Sequence, residues 1–383
     1  MIIDKKFEQE LIETRRYLHA HPEISEKEFQ TTHFIREKLK QWDIEILEGA
    51  LKTGVVAQIG SGRPVIALRA DIDALPILEK TELPYASKYK GRMHACGHDL
   101  HMTSLLGAAK LLKKERFKGT IKLIFQPAEE IGQGALQVLK SGLVNDVQAF
   151  VGYHNMPTLQ AGEIRLKEGA MMAAVDRFRV VVRGSGSHAA YPQEGTDVVL
   201  GISTIVQNLQ QIVARNLSPL HAAVVSVTHI DVGNTWNVLP DEGYFEGTIR
   251  SFDSESRQLI KKRFVEIAEL TAKTVGLSAE VAWLMDAELT FNDANLTAIV
   301  RESLAGWYGP IASTEPSSAG EDFAHYRTQA PCVFAFIGSN APEAPGLHFP
   351  EMTIKDETLA TAVKYYVHSA LSLLRTLEKT SEG

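Results

Sequence analysis

Near the amino terminus apolar residues recur at helical spacing. Leu11, Tyr17 and Leu18 form one stripe, and Phe29, Phe34, Ile35 and Leu39 form a second. The turn-forming run His-Pro-Glu-Ile-Ser stands between them, so two helices are predicted. The period then changes. Runs dense in Val, Ile and Leu at 44–47, 54–59 and 64–71 read as strands, and their unbroken apolar character predicts a sheet buried on both faces. Helix is predicted around 100–114, strand over 121–126, helix over 135–142 and strand over 147–154. Such alternation predicts a mixed or largely parallel sheet with helices packed outside it.

Around residue 174 the pattern becomes strictly alternating, as in Val-Asp-Arg-Phe-Arg-Val-Val-Val-Arg, which is the mark of a half-exposed strand. Helix 195–214, strands 223–230 and 242–252, helix 254–275 and strand 279–285 follow. Strand–helix–strand–strand–helix–strand is the order of a ferredoxin-like α+β sandwich. The chain then returns to helix (295–306), strand (332–338) and a final helix (356–378). The expected organisation is therefore an α/β domain, 1–173 plus 287–383, interrupted by an inserted domain, 174–286.

Two domains agree with a length of 383 residues. With 44% hydrophobic and 23% charged residues the composition is that of a globular protein. A net charge of -7 with scattered Lys and Arg gives no basic tract for nucleic acid. No apolar run approaches the ~20 residues needed to span a membrane, and the amino terminus lacks a signal-peptide core. Two cysteines, Cys96 and Cys332, make no disulfide framework. A cytoplasmic location is expected, where a reduced Cys96 can act as a ligand. Cys332, inside an apolar strand, reads as a core residue. His19, His21, His33, His221, His229 and His368 read as surface or packing residues.

Ligand sites of doubly covered sheets lie beyond the carboxyl ends of the strands. Four predicted strand ends carry acids or imidazoles there: Asp71 and Asp73, Glu129 and Glu130, His154, and His348 in the loop after 332–338. Cys96 and His98 flank Gly97, which lets both side chains turn to one ion. A thiolate can bridge two divalent ions, and imidazole suits Zn, Ni, Co or Mn. Cys96 is thus expected between two ions, with His98 and Glu130 on one and His154 and His348 on the other. One thiolate and one carboxylate leave such a centre net positive, able to attract an anionic substrate. Adjacent side chains point in different directions, so Glu129 is free to act as general base while Glu130 binds metal. Asp71, Asp73 and Asp99 either orient the imidazoles as acceptors or cap turns.

Several motifs extend this reading. Leu-Arg-Ala-Asp-Ile-Asp-Ala-Leu-Pro, Met-His-Ala-Cys-Gly-His-Asp-Leu-His-Met, Phe-Gln-Pro-Ala-Glu-Glu, Gly-Tyr-His-Asn, Gly-Ser-His-Ala-Ala-Tyr-Pro, Trp-Asn-Val-Leu-Pro-Asp, Gly-Thr-Ile-Arg-Ser-Phe and Gly-Glu-Asp-Phe-Ala resemble the amidohydrolase branch of the aminoacylase/carboxypeptidase metallopeptidase family. That branch includes hippurate hydrolases, N-acyl-L-amino acid amidohydrolases and N-acetyldiaminopimelate deacetylases. The resemblance runs from about Arg15 to Ala370. It implies a phosphorylase/hydrolase-like α/β metal-binding domain with an inserted ferredoxin-like lid that also makes a homodimer. It implies two divalent ions per chain, held by Cys96, His98, Glu130, His154 and His348, with Glu129 as base. It adds His188 as oxyanion stabiliser, from the partner subunit in some relatives, and Asn237 and Arg250 as substrate-holding groups. Two departures, Ser187 before His188 and the Leu100 and Met102 context after Cys-Gly-His-Asp, bear on pocket shape and remove no functional group. The implied reaction is metal-dependent hydrolysis of N-acyl amino acids, with no nucleic acid or membrane partner. A dipeptidase or aminopeptidase on the same metals, or a catalytically silent binding relative, are the alternatives.

Overall fold

The computed structural model describes residues 3–381. The chain divides into two compact units, the first Met1–Met171, Phe291–Glu315 and Asp322–Gly383, the second Met172–Thr290 and Pro316–Glu321. In the first unit, α1 (Lys5–Ala20) begins at Asp4, whose carboxylate accepts the Phe7 N–H at 2.8 Å. Then come α2 (Phe29–Gln41), β1 (Glu45–Leu47), β2 (Val55–Ser61), β3 (Val65–Asp71), α3 (His98–Leu112), β4 (Gly119–Gln126), α4 (Gly134–Lys140), β5 (Ala149–Gln160) and β6 (Ile164–Arg165). β7 (Gly169–Met172) lies at the first crossing to the second unit.

The second unit contains β8 (Ala174–Arg183), β9 (Ser187–His188), α5 (Val198–Leu209), β10 (Ala223–Val232), β11 (Val238–Leu239), β12 (Glu242–Ser251), α6 (Ser254–Thr274) and β13 (Ser278–Ala287). β14 (Thr290–Asn292) lies at the return, and α7 (Ala294–Tyr308), β15 (Cys332–Asn340) and α8 (Thr358–Ser381) complete the first unit.

The first unit's sheet runs β1-β2-β4-β3-β5-β15-β6. Its central strands β4, β3, β5 and β15 are parallel, and antiparallel β2 and β6 flank them. All residues of β3 and β4 are buried, as expected for strands covered on both faces. Cys332 is buried in β15. α3 is sheathed almost completely, because it packs against β3 while α1 and α8 pack on it.

In the second unit an antiparallel sheet in the order β10-β12-β8-β13 carries α5 and α6. This is the expected ferredoxin-like arrangement, and the α/β class with an inserted α+β unit is the fold found. Along β8, Phe178, Val180 and Val182 are buried while Arg177 and Arg183 are exposed, so the alternating pattern marks the helix-covered face. Among the described residues no helix is long and apolar enough to cross a membrane.

Candidate metal centre

Strand ends of the first unit converge. β3 ends at Asp71 with Asp73 just beyond. β4 ends at Gln126, before the turn that carries Glu129 and Glu130. His154 lies in β5, and His348 lies in the loop after β15. Cys96 and His98 join them at the start of α3, where Gly97 takes φ +84°.

Cys96 Sγ stands 3.3 Å from His154 Nε2 and 3.3 Å from His348 Nε2. His348 Nε2 is 3.5 Å from Glu130 Oε2, and His98 Nε2 is 3.8 Å from Glu130 Oε1. The structure thus brings all five expected ligand side chains together. Two donor sets share the thiol, Cys96–His98–His154 and Cys96–Glu130–His348, each with its atoms within 4.8 Å of one another. This partition differs from the expected one, which joined His98 to Glu130 and His154 to His348. Asn155 packs so tightly on Gly97 that a Cβ there would meet its Oδ1 at 2.3 Å, which brings His154 to His98. His348, with φ +65° and its N–H on the Ala95 carbonyl at 2.9 Å, meets Glu130 instead. A third set joins Glu129 to His98 and Glu130, again within 4.8 Å.

The acids behind the cluster are unequal. Asp73 holds two ligands: its Oδ1 is 3.2 Å from His98 Nδ1, and its Oδ2 accepts the Glu130 N–H at 3.0 Å. Asp71 lies 3.7 Å from His98 but pairs more closely with His101 Nδ1, at 2.6 Å, and with Arg69 Nη1, at 2.7 Å. Asp99 turns to Arg15 Nη1 at 3.2 Å and His19 Nδ1 at 3.1 Å, away from the ligands.

Further side chains support the site from outside the expected set. Glu28 accepts the Ala128 N–H at 2.8 Å and so holds the turn before Glu129, in which Ala128 takes φ +54°. Asp322 offers its N–H to Glu129 Oε1 at 3.4 Å and receives Arg69 Nη2 at 2.9 Å. Arg69 is a charge inside an apolar strand, and Asp322 lies within Gly-Glu-Asp-Phe-Ala, so both carry a signal readable in the sequence. Glu28 carried no local signal.

Burial pushes the Cys96 thiol well up, and Glu130, Glu129 and Asp71 add to the effect. Burial, then the neighbouring His101, holds His154 well below the usual range. Burial also disfavours charge on His98, but Asp71, Asp73 and Glu130 outweigh it and raise the group to about 10. His98 Nε2 and Glu130 Oε1 are buried with no hydrogen-bond partner among the described residues. Buried polar atoms of that kind need an explanation. Divalent cations supply one, because they would displace the thiol and imidazole protons and take up the two orphaned atoms, one in each thiol-sharing donor set. One sulfur, three imidazoles and a carboxylate suit a borderline transition ion. The donor set therefore fits the two ions expected.

His188 and Asn237 lie together in the second unit. β9 pairs with β11, setting His188 opposite Val238, and the Ala189 N–H bonds the Asn237 carbonyl at 3.0 Å. The exposed His188 accepts the Ala190 N–H at Nδ1, 3.1 Å away, which leaves its proton on Nε2. Arg250, in β12, is half-buried, and burial lowers its pKa. Its guanidinium has no acidic partner among the described residues.

Known proteins share this chain's sequence and fold. The chain is 47% identical over 380 residues to the N-acetyl-L-cysteine deacetylase of Bacillus subtilis (strain 168), covering 98% of this chain and 90% of that protein. It is 35% identical over 381 residues to the hippurate hydrolase of Campylobacter jejuni, covering 98% of each. The crystal structure of the Bacillus subtilis YXEP protein, described as a dinuclear metal binding peptidase, aligns with a TM-score of 0.87 and 42% identity, over 97% of this chain and 100% of that one. Residues 67–372 match the family described as peptidase family M20/M25/M40, and the chain belongs to that family.

Proposed function

We propose that this protein hydrolyses the amide bond of N-acyl amino acids, releasing a free amino acid and a carboxylate, at a two-ion centre held by Cys96, His98, Glu130, His154 and His348. The observation that carries the reading is one buried thiol standing 3.3 Å from two imidazole nitrogens, with Glu130 3.5 Å from one of them. The deacetylase and hydrolase relatives support the reaction class. Bound ions would supply Lewis acidity to the carbonyl and acidify the attacking water.

Glu129 takes the proton of that water and returns it to the leaving nitrogen as the C–N bond breaks. Its neighbour Glu130 is committed to metal, so the two carboxylates divide the work. His188 donates from Nε2 to the oxygen that gains charge, the role its tautomer suits. Arg250 receives the substrate carboxylate, and Asn237 adds an amide contact. An unpaired, partly desolvated guanidinium favours a substrate with a free carboxylate. The protein would act in the cytoplasm on this small molecule, as a homodimer formed through the second unit.

The test is a panel of N-acetyl, N-benzoyl and N-succinyl amino acids, their carboxamides and dipeptides, with Mn, Zn, Co and Ni tried in turn. Turnover of the N-acyl acids, loss on chelation and poor turnover of the carboxamides are expected. Preference for dipeptides with a free amine would establish the peptidase alternative. Ion binding with no turnover of any compound would establish a binding protein.

A further inference from the structure

His101 takes no part in the reaction, yet it lies against two members of one donor set, His98 and His154. Its ring is fully buried, stacks on His98 with centroids 5.4 Å apart, and meets His154 edge-on at 4.9 Å. Both ring nitrogens are engaged. Nδ1 is 2.6 Å from Asp71 Oδ1, and Nε2 accepts the N–H of Asn155 at 3.0 Å. A backbone N–H can only donate, so Nε2 must be the bare nitrogen and Nδ1 must carry the proton. Asp71 enforces this tautomer, itself anchored by Arg69 Nη1 at 2.7 Å.

Residue 155 is the point at which this matters. Its carbonyl receives His154 Nδ1 at 2.7 Å, which turns His154 Nε2 to the Cys96 sulfur. Its side chain packs against Gly97, between Cys96 and His98, and bonds Ser339 Oγ at 3.3 Å. The β3–β5 ladder runs from Ile66–Ala149 to Leu68–Val151, so β3 does not receive the Asn155 N–H, and the ring of His101 does.

We propose that His101 is a positioning residue for the metal centre: through its Nε2 it locks the Asn155 peptide, and that peptide aims the His154 imidazole at the ion shared with Cys96 and His98. This rests on the two-ion reading above. The lever is an acceptor at one ring position. Asparagine at 101 can place a donor near Asp71 but has no acceptor reaching Asn155. Glutamine can place its amide oxygen where Nε2 stood. The two variants therefore separate the acceptor from the rest of the side chain.

The experiment titrates cobalt(II) into wild type, His101→Asn and His101→Gln, following thiolate-to-metal absorption and bound ion by equilibrium dialysis, with unfolding of the ion-free proteins measured alongside. Wild type should take two ions. His101→Asn should bind one of them about 10–100-fold more weakly, the usual effect of losing a group that orients a ligand. His101→Gln should recover to within a few-fold of wild type, although both variants lose the imidazole ring and its packing. Two tightly bound ions in a folded His101→Asn, or equal weakening in both variants, would overturn the positioning role and leave the metal centre standing. A wild type that binds no cobalt would sink the two-ion reading and the role together. Should His101→Asn fail to fold, nitrogen-15 histidine NMR of zinc-loaded wild type decides. One imidazole without metal must show the Nδ1-protonated tautomer, in a signal absent from His101→Gln, and its absence from wild type refutes the proposal.

Discussion

Glu129 and Glu130 are chemically identical neighbours separated by the partners that hold them. The Glu130 N–H is held by Asp73 at 3.0 Å and its carboxylate reaches His98 and His348, whereas Glu129 Oε1 takes the Asp322 N–H at 3.4 Å. Glu129→Gln should keep both ions and lose ~10²–10⁴-fold in turnover, because only the proton relay is removed. Glu130→Gln should lose ion affinity as well, as read by elemental analysis after dialysis. The reverse outcome would exchange their roles. Gly97 is the other residue whose identity is dictated by its place. At φ +84° and with a virtual Cβ 2.3 Å from Asn155 Oδ1, it tolerates no side chain without movement. Gly97→Ala should cost about 1–3 kcal/mol in unfolding free energy from backbone strain alone, and should also weaken ion binding by displacing Asn155. Unchanged ion affinity in a destabilised Gly97→Ala would show that the Cys96–His98 turn adapts freely.

Between elements, α1 and α3 are joined by charges that the hydrophobic pattern hides. His19 was expected at the surface or in simple packing; it is buried, with Nδ1 3.1 Å from Asp99 and Nε2 3.0 Å from Glu79, while Arg15 shares Asp99 at 3.2 Å and meets Asp356 at 2.7 Å. Burial disfavours the imidazolium, but Asp99 and Glu79 outweigh it and lift His19 from 6.5 to about 9. Tyr85 meets the ring edge-on, and nearby His94 is held down to about 4 by burial, so that imidazole does not titrate over the same range. The folded state thus binds the proton more tightly than the unfolded chain. The resulting stability is complete below about pH 6.5 and is lost as pH rises through about 9. At ~1.4 kcal/mol per unit it is on the order of 3 kcal/mol. In metal-loaded protein, where His98 holds no competing proton, the unfolding free energy of wild type minus that of His19→Gln should shrink over that window. A difference independent of pH would mean that His19 is neutral in the fold. The elements themselves were legible, since strands covered on both faces and amphipathic helices leave periodic traces. Partnerships such as Arg15–Asp99 and Glu28–Ala128 leave none, because nothing local distinguishes a charge destined for burial from one bound for water. Tyr17 shows the converse: it fits the apolar stripe of α1 yet is 47% exposed, stacked on Phe34.

For the whole molecule, the change from unbroken to alternating apolar runs near residue 174 was enough to foresee an α+β unit inserted into an α/β one, because strands covered on both faces and on one face leave different periods. The short segment Pro316–Glu321, which belongs with the second unit, left no such trace, being too brief for any period. The same division poses the final question. His188 and Asn237 lie in the second unit, the ion ligands and Glu129 in the first, and stabilising an oxyanion demands a donor within ~3 Å of the developing charge. Either one chain supplies both groups, or a second chain supplies the histidine across an isologous contact, the commonest kind in soluble oligomers. We expect the second arrangement, and mixing two inactive variants distinguishes them. His188→Ala keeps the base and lacks the donor, while Glu129→Gln keeps the donor and lacks the base. With subunit exchange at equal mixing, about half of the dimers combine one chain of each. If the histidine acts across the interface, each mixed dimer holds one site of two with both groups intact, and roughly a quarter of wild-type activity returns. If it acts within its own chain, every site in every dimer lacks one group and activity stays at the level of the separate variants. A tagged copy of one variant, recovered together with the untagged other, proves the exchange, so a null recovery then assigns His188 to its own chain.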